Sequence, residues 1–290
     1  MLVKLKKLRI ILLGILAITS MIIVTWLSVD ARAFKIPIFG FHNIIDGQVE
    51  QENYLDYTKT DLSKFFTHIV LGNYWVLDTN ELDKYFLTKS QPIPSQHIGD
   101  KPVMITFDDG YKSMKKYVLP LLEELQLEPK AGETVKVVLF INPKFVKDAE
   151  SIKSAKAANK YMNCQDIKEG FTKGFFDIQG HGFSHANLTK LDEKELVKEL
   201  TEGKDILTGC LAGLENTETL ATHFAYPYNK SNDRVREYTA KYYRSGYLYN
   251  NRTLRLGWWT DSYRLPRLRA FRSDSPEKLI RLAKSTSEIR

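Results

Sequence analysis

From residue 34 onward, short apolar runs alternate with amphipathic stretches. The apolar runs at 36–41, 103–107, 135–141, 175–180, 222–226 and 245–249 have the length of strands. The stretches between them carry helical spacing. Residues 61–73 place Leu62, Phe65, Phe66, Ile69 and Val70 on one face. Residues 111–125 behave alike, and 192–207 open with Asp192 and Glu195, acids that favour a helix N-terminus. Strands alternating with helices predict βα units and a mainly parallel sheet, and at this length the natural closure is a barrel or distorted barrel. Two connections interrupt the rhythm. Residues 90–101 are polar, with Pro92, Pro94 and Gly99, and read as a surface loop. Residues 144–173 are Lys-rich and weakly helical, and read first as a solvated excursion, second as part of a substrate rim.

Residues 1–33 differ in kind. Lys4, Lys6, Lys7 and Arg9 precede an uncharged apolar run over 10–29, followed by Ala31-Arg32-Ala33. Twenty apolar residues behind a basic flank can span a bilayer, and a small-x-small triplet can be cut by a signal peptidase. The run is longer than a usual secretory core, so a signal anchor is favoured over a cleaved signal peptide. Either one puts residues 34–290 outside the cytoplasm, at the cell membrane or the cell surface, as one domain. The chain of 290 residues has net charge +7, but residues 1–33 hold five of its 42 basic and one of its 35 acidic groups. The body is therefore at only +3, which argues against nucleic-acid binding. Two cysteines, Cys164 and Cys210, exclude a disulfide scaffold and an all-cysteine metal site, and could pair in an oxidising compartment.

The candidate chemistry lies where strands run out. Thr106-Phe107-Asp108-Asp109-Gly110 ends the run at 103–107. Adjacent carboxylates raise each other's pKa, so a compensating cation is expected, although an Asp-Gly turn with a helix cap is the ordinary reading. His181-Gly182-Phe183-Ser184-His185 follows the run at 175–180. Two histidines at this spacing can aim at one point, although surface pairs exist too. Together they offer His181, His185 and one Asp, the three-ligand pattern of a catalytic metal site with open positions. The other aspartate is then free to act as a base. Phe224-Ala225-Tyr226-Pro227-Tyr228-Asn229 and Arg264-Leu265-Pro266-Arg267 are weaker signals, as is His42 at the end of the first run. A basic group near the acid pair would keep one carboxylate ionised. His68, His97 and His223 read as structural or surface residues.

Segments 106–110, 181–185 and 224–228, in this order, resemble the first three motifs of the polysaccharide deacetylase family, carbohydrate esterase family 4. The resemblance covers roughly residues 36–269. It implies a distorted (β/α) barrel of about seven units and a metal-dependent hydrolase of N-acetyl groups. It gives Asp108 as general base and Asp109, His181 and His185 as ligands of one divalent metal, zinc first, with cobalt, nickel, manganese or iron as alternatives. The backbone N–H of Tyr228, after Pro227, matches the oxyanion donor, and Arg267 the arginine that orients the catalytic aspartate. Tyr111, Pro227, Trp258 and Trp259 are expected along the substrate. The sequence departs from the pattern in three places. Phe224-Ala225 stands where many members have an arginine, Asn229 where glycine is frequent, and no histidine follows His223. The general acid is thus absent from its usual C-terminal place. In the branch acting on poly-β-1,6-N-acetylglucosamine a first-strand histidine takes that role, and residues 38–44 around His42 resemble that segment. The expected partners are a biofilm polysaccharide, the membrane through residues 1–33, and a polysaccharide synthase or export complex. The alternatives are an acetyl esterase on xylan, a deacetylase of chitin or peptidoglycan, and a non-catalytic, membrane-tethered glycan-binding protein. An Fe(II) oxygenase shares the ligand set but not the βα alternation.

Overall fold

A computed structural model describes residues 12–21, 33–47, 53–127, 134–151, 155–257 and 260–290. In chain order the strands are β1 (Phe34–Ile36), β2 (Ile38–Phe41), β3 (Ile44–Ile45), β4 (Tyr57–Thr58), β5 (Tyr74–Val76), β6 (Lys101–Asp109), β7 (Val137–Ile141), β8 (Phe176–Gly180), β9 (His223–Ala225), β10 (Ser245–Tyr249), β11 (Leu254–Leu256) and β12 (Leu265–Arg269). Seven of these form a closed parallel barrel in the order β2-β12-β10-β9-β8-β7-β6, with β6 returning to pair with β2. Helices pack outside, so the fold is the expected distorted (β/α) barrel. β5 adds itself in parallel to the first third of β6, from Lys101 to Val103.

Side-chain parity sets the layers. Along a strand successive residues face opposite sides. Ile38, Met104, Val138, Phe140, Ala225, Tyr247 and Leu265 share one buried cluster. Their neighbours Phe39, Ile105, Val137 and Leu139 join a second cluster with the helix residues Leu62, Phe65, Phe66 and Ile69. Thr106 and Asp108 have the parity of Met104, and Arg267 that of Leu265, so all three belong to the first side.

The helices begin where caps dictate. Lys59–Val70 starts behind Thr58, whose side chain accepts from the Asp61 N–H. Glu193–Cys210 starts behind Asp192, which forms a reciprocal capping box with Glu195, as its opening acids predicted. Pro37 divides the run at 36–41: β1 leaves the barrel to pair antiparallel with β11, and only β2 enters it.

Five strands are not marked by apolar runs, the two-residue β3 and β4 among them. β5 and β11 are three residues each, and β12 contains Pro266, Arg267 and Arg269. The 90–101 loop includes a turn at Ser95–His97, where His97 is buried and stacks on Trp75 at 3.7 Å. The 144–173 excursion is more ordered than a solvated loop, with helices Pro143–Glu150, Ala155–Lys160 and Cys164–Thr172. A Cys164–Cys210 disulfide ties the last of these to the end of helix Glu193–Cys210. Most of the leader lies outside the described residues; 12–21 are helical, and no described helix is long and apolar enough to cross a membrane.

Candidate metal and hydrolytic centre

Strand register brings the motifs level. Asp109 pairs with Ile141, Ile141 with Gly180, and Gly180 with Phe224, so the chain leaves β6, β8 and β9 at one height on the C-terminal rim. That is the end of a parallel barrel where sites form. Four of the eight described non-glycine residues with positive φ lie here: Asp109 (71°), His185 (60°), Tyr228 (55°) and Asn229 (59°). Such backbone is uncommon outside glycine, least so for Asp, Asn and His, and at Tyr228 it persists because the surroundings fix it.

Asp108, facing the barrel interior, is gripped by Arg267. Nη1 donates to Oδ1 at 2.6 Å and Nη2 to Oδ2 at 2.8 Å. Nη1 also donates to Thr106 Oγ1 at 3.0 Å, and the guanidinium lies 4.0 Å from the Tyr249 ring centroid. Burial alone would push the Asp108 carboxyl up, but the Arg267 charge and its hydrogen bonds more than offset this and hold it below the usual range.

Asp109 is turned out of the strand by its backbone. Its Oδ1 stands 3.4 Å from His181 Nε2 and 3.2 Å from His185 Nε2. The three ligand atoms lie within 4.8 Å of one another. His181 Nδ1–H donates to the Ala225 carbonyl at 2.8 Å, which leaves the Nε2 lone pair facing the aspartate. Asp109 Oδ1 is buried with no hydrogen-bond partner. An orphaned carboxylate oxygen beside two imidazoles suits a divalent cation of the zinc type. Burial opposes ionisation of Asp109, yet the imidazoles keep its carboxyl well below the ordinary value. Burial likewise opposes a charged His181, and the two aspartates outweigh it and raise its pKa. The site is electrostatically set for positive charge.

The other expected residues surround this pair of acids. His42, at the end of β2, stacks on Tyr249 at 5.7 Å, and its buried Nδ1 has no hydrogen-bond partner. Burial lowers its pKa, with Asp108 and Asp109 opposing. Pro227 is buried, and Tyr228 is 61 % exposed with its ring 4.5 Å from that of His185. Tyr111, two residues beyond Asp109, packs on Tyr161 at 5.4 Å. Burial, then Asp109, raises its pKa. Trp258 and Trp259 lie outside the described residues. His223 is buried and bonded to Ser245 Oγ at 2.7 Å, and His68 lies 3.5 Å from the Tyr74 hydroxyl, both structural as expected.

Three functional supports were not anticipated. Glu199, 6 % exposed, accepts from the Ser184 N–H at 2.9 Å and from its hydroxyl. The same carboxylate would meet a Cβ on Gly182, whose φ is +74°, at 3.0 Å. Asn142, with its amide oxygen accepting from the His185 N–H (2.6 Å) and its nitrogen donating to Phe183 O (3.0 Å), holds the other side of the histidine loop. Asn229 replaces glycine without loss: asparagine tolerates positive φ, and its amide both donates to Tyr249 O (2.5 Å) and accepts from Tyr249 N–H (2.6 Å). Glu199 carried a legible signal, because it falls on the apolar face of its helix with Leu196, Leu200 and Leu207.

A family model described as polysaccharide deacetylase matches residues 95–245. No curated protein matches the chain. Among solved structures, the polysaccharide deacetylase BC0361 from Bacillus cereus is similar with TM-score 0.69 at 19% identity, covering 87% of this chain and 69% of that one. The Streptococcus pyogenes deacetylase PplD, solved with acetate, gives 0.68 at 20% identity, covering 86% and 98%. IcaB from Ammonifex degensii gives 0.64 at 17% identity, covering 87% and 98%. At such identities the likeness is one of fold. The family match spans more than half of the chain, and it falls on the strands that carry the acid pair and the histidines. The chain belongs to the polysaccharide deacetylase family and is a hydrolase of acetyl amides.

Proposed function

We propose that the chain removes acetyl groups from N-acetylglucosamine units of an extracellular polysaccharide, poly-β-1,6-N-acetylglucosamine, using zinc held by Asp109, His181 and His185. The observation that carries the amide reading is His42, which shares the Tyr249 ring with Arg267 and so stands beside the Asp108 pair. Amide cleavage needs a proton for the departing nitrogen, and no histidine follows His223 to give one. The resemblance of residues 38–44 to the poly-β-1,6-N-acetylglucosamine branch supports the linkage. The Cys164–Cys210 disulfide supports an oxidising compartment, and with it an exported domain behind residues 1–33.

A divalent metal in that cradle supplies Lewis acidity towards the acetyl carbonyl and lowers the pKa of water. Asp108 accepts the proton of the attacking water, held in aim by the Arg267 fork. The Tyr228 N–H donates to the oxyanion, a contribution of about 3 kcal/mol where such donors have been removed. His42 donates its proton to the sugar nitrogen as acetate departs. The positive φ at Tyr228, secured by Pro227 before it and Asn229 after it, fixes where that N–H points.

The test is acetate release by the full-length chain, zinc-loaded and after chelation, from β-1,6-linked and β-1,4-linked N-acetylglucosamine oligomers and from acetylated xylan. Zinc-dependent release from the β-1,6 oligomers alone is expected. Release only from β-1,4 oligomers or xylan would overturn the substrate, and release that survives chelation would overturn the metal.

A further inference from the structure

The excursion between β7 and β8 is stitched to the catalytic rim. The Lys112 N–H donates to Lys160 O at 2.8 Å, the Met162 N–H donates to Gly110 O at 3.0 Å, and Tyr111 and Tyr161 form an antiparallel bridge. The returning limb thus lies against the residues that follow Asp109. Its rings continue the site. Phe145 and Tyr161 stack at 4.3 Å with 21° between their planes, Tyr161 meets Tyr111 at 5.4 Å, and Phe145 lies 6.0 Å from His185. Since His185 meets Tyr228 at 4.5 Å, an arc of rings runs round the metal cradle from Tyr228 to Tyr111. Tyr111, Phe145 and Tyr161 are only half-buried, so each keeps ring surface for a ligand.

We propose that Phe145 and Tyr161 form a wall on which the sugar adjoining the one being deacetylated packs its apolar C–H face. This rests on the N-deacetylase reading above and adds the neighbouring unit to it. Ring surface of this kind offers apolar area with little entropy to lose. The Lys160 ammonium lies 5.1 Å from the Tyr161 ring centroid and 5.7 Å from that of Tyr111. A cation there repels an already deacetylated, ammonium-bearing sugar, so the wall takes a neutral N-acetylated hexosamine.

The full-length, zinc-loaded chain tests this as wild type, Tyr161→Leu and Tyr161→Trp. Three readouts apply: calorimetric Kd for β-1,6 and β-1,4 N-acetylglucosamine pentamers, kcat and KM for acetate release from them, and hydrolysis of 4-nitrophenyl acetate, which has no neighbouring sugar. In Tyr161→Leu, Kd and KM for the bound pentamer rise about tenfold while kcat and ester hydrolysis stay unchanged, and Tyr161→Trp restores both. An unchanged Kd and KM in Tyr161→Leu overturns the wall, as does an ester loss as large as the pentamer loss, or a wild type that binds neither pentamer. Tyr161-dependent binding without acetate release would sink the deacetylase reading and leave the wall standing.

Discussion

Arg267 holds both oxygens of Asp108 in a two-pronged grip within the barrel, with the arginine 0 % and the aspartate 2 % exposed. The fork is a geometric device as well as a charge, because two parallel N–H groups fix the carboxylate plane. Arg267→Lys keeps the charge and loses the plane, so acetate release is expected to fall about 100-fold with less loss of fold. Arg267→Met leaves Asp108 buried and unpaired, and should cost about 3–5 kcal/mol of stability. Chemical denaturation and acetate assays on the two variants check both statements. Equal activity in Arg267→Lys and wild type would show that charge alone suffices.

His42 should matter more to amides than to esters. An alcohol leaves without much acid help and an amine does not. In His42→Ala, amide turnover is expected to fall about 100-fold, within the range of general-acid catalysis, while 4-nitrophenyl acetate hydrolysis falls less than about tenfold. Parallel losses on both substrates would remove the acid role.

Glu199 acts on the candidate metal site at one remove, through its hydrogen bonds to Ser184. Its carboxylate ties down the middle of the His181–His185 loop, so its loss should appear first in metal affinity. Glu199→Gln and Ser184→Ala are each expected to weaken zinc binding about tenfold, the usual size for a partner that orients a ligand. Competition with a chelator measures this directly. The chains should keep the melting temperature of metal-free wild type, and turnover should recover at saturating zinc. An unchanged zinc Kd would reduce Glu199 to a packing residue.

His223 sets a dependence of stability on pH. It is fully buried, and burial, helped by Arg244, pushes its pKa from 6.5 down to about 3. The folded state refuses a proton that the unfolded chain accepts below pH 6.5. Stability from this residue is therefore complete above pH 6.5 and declines by up to about 1.4 kcal/mol per unit as the pH falls towards 3. Burial raises the Glu81 and Asp177 carboxyls, which makes those groups stabilise in the opposite sense as acid is added. The His223 contribution is thus isolated as a difference. His223→Gln should lose less stability than wild type between pH 7 and pH 5, by about 2 kcal/mol. Equal losses would mean that His223 does not titrate in this window.

The sequence made the barrel legible where a strand was apolar throughout, as at β7, because a parallel strand buried on both faces reads as a continuous apolar run. It hid β12, whose proline and two arginines deny the apolar run, although Arg267 is buried for the chemistry that its motif suggested. The ligand set was legible from residue type and spacing. The supports were not: Asn142, Asn229 and Ser184 act through backbone groups whose positions exist only after folding. The excursion misled for a related reason. Its many lysines described its solvent side, while Phe145 and Tyr161 fixed where it lies.

The chain enters the barrel at its lower end. Lys35 O accepts from the hydroxyl of Thr286, which also donates to Pro102 O, at the start of β6, whereas Asp109 closes β6 at the opposite rim. At about 3.3 Å per residue, the seven steps from Pro102 to Asp109 separate entrance from site by about 23 Å. Anything that grips the residues before Phe34 holds the molecule by its base, with the mouth pointing outward. A tag or surface joined ahead of Phe34 is therefore set apart from the substrate mouth by the length of the barrel.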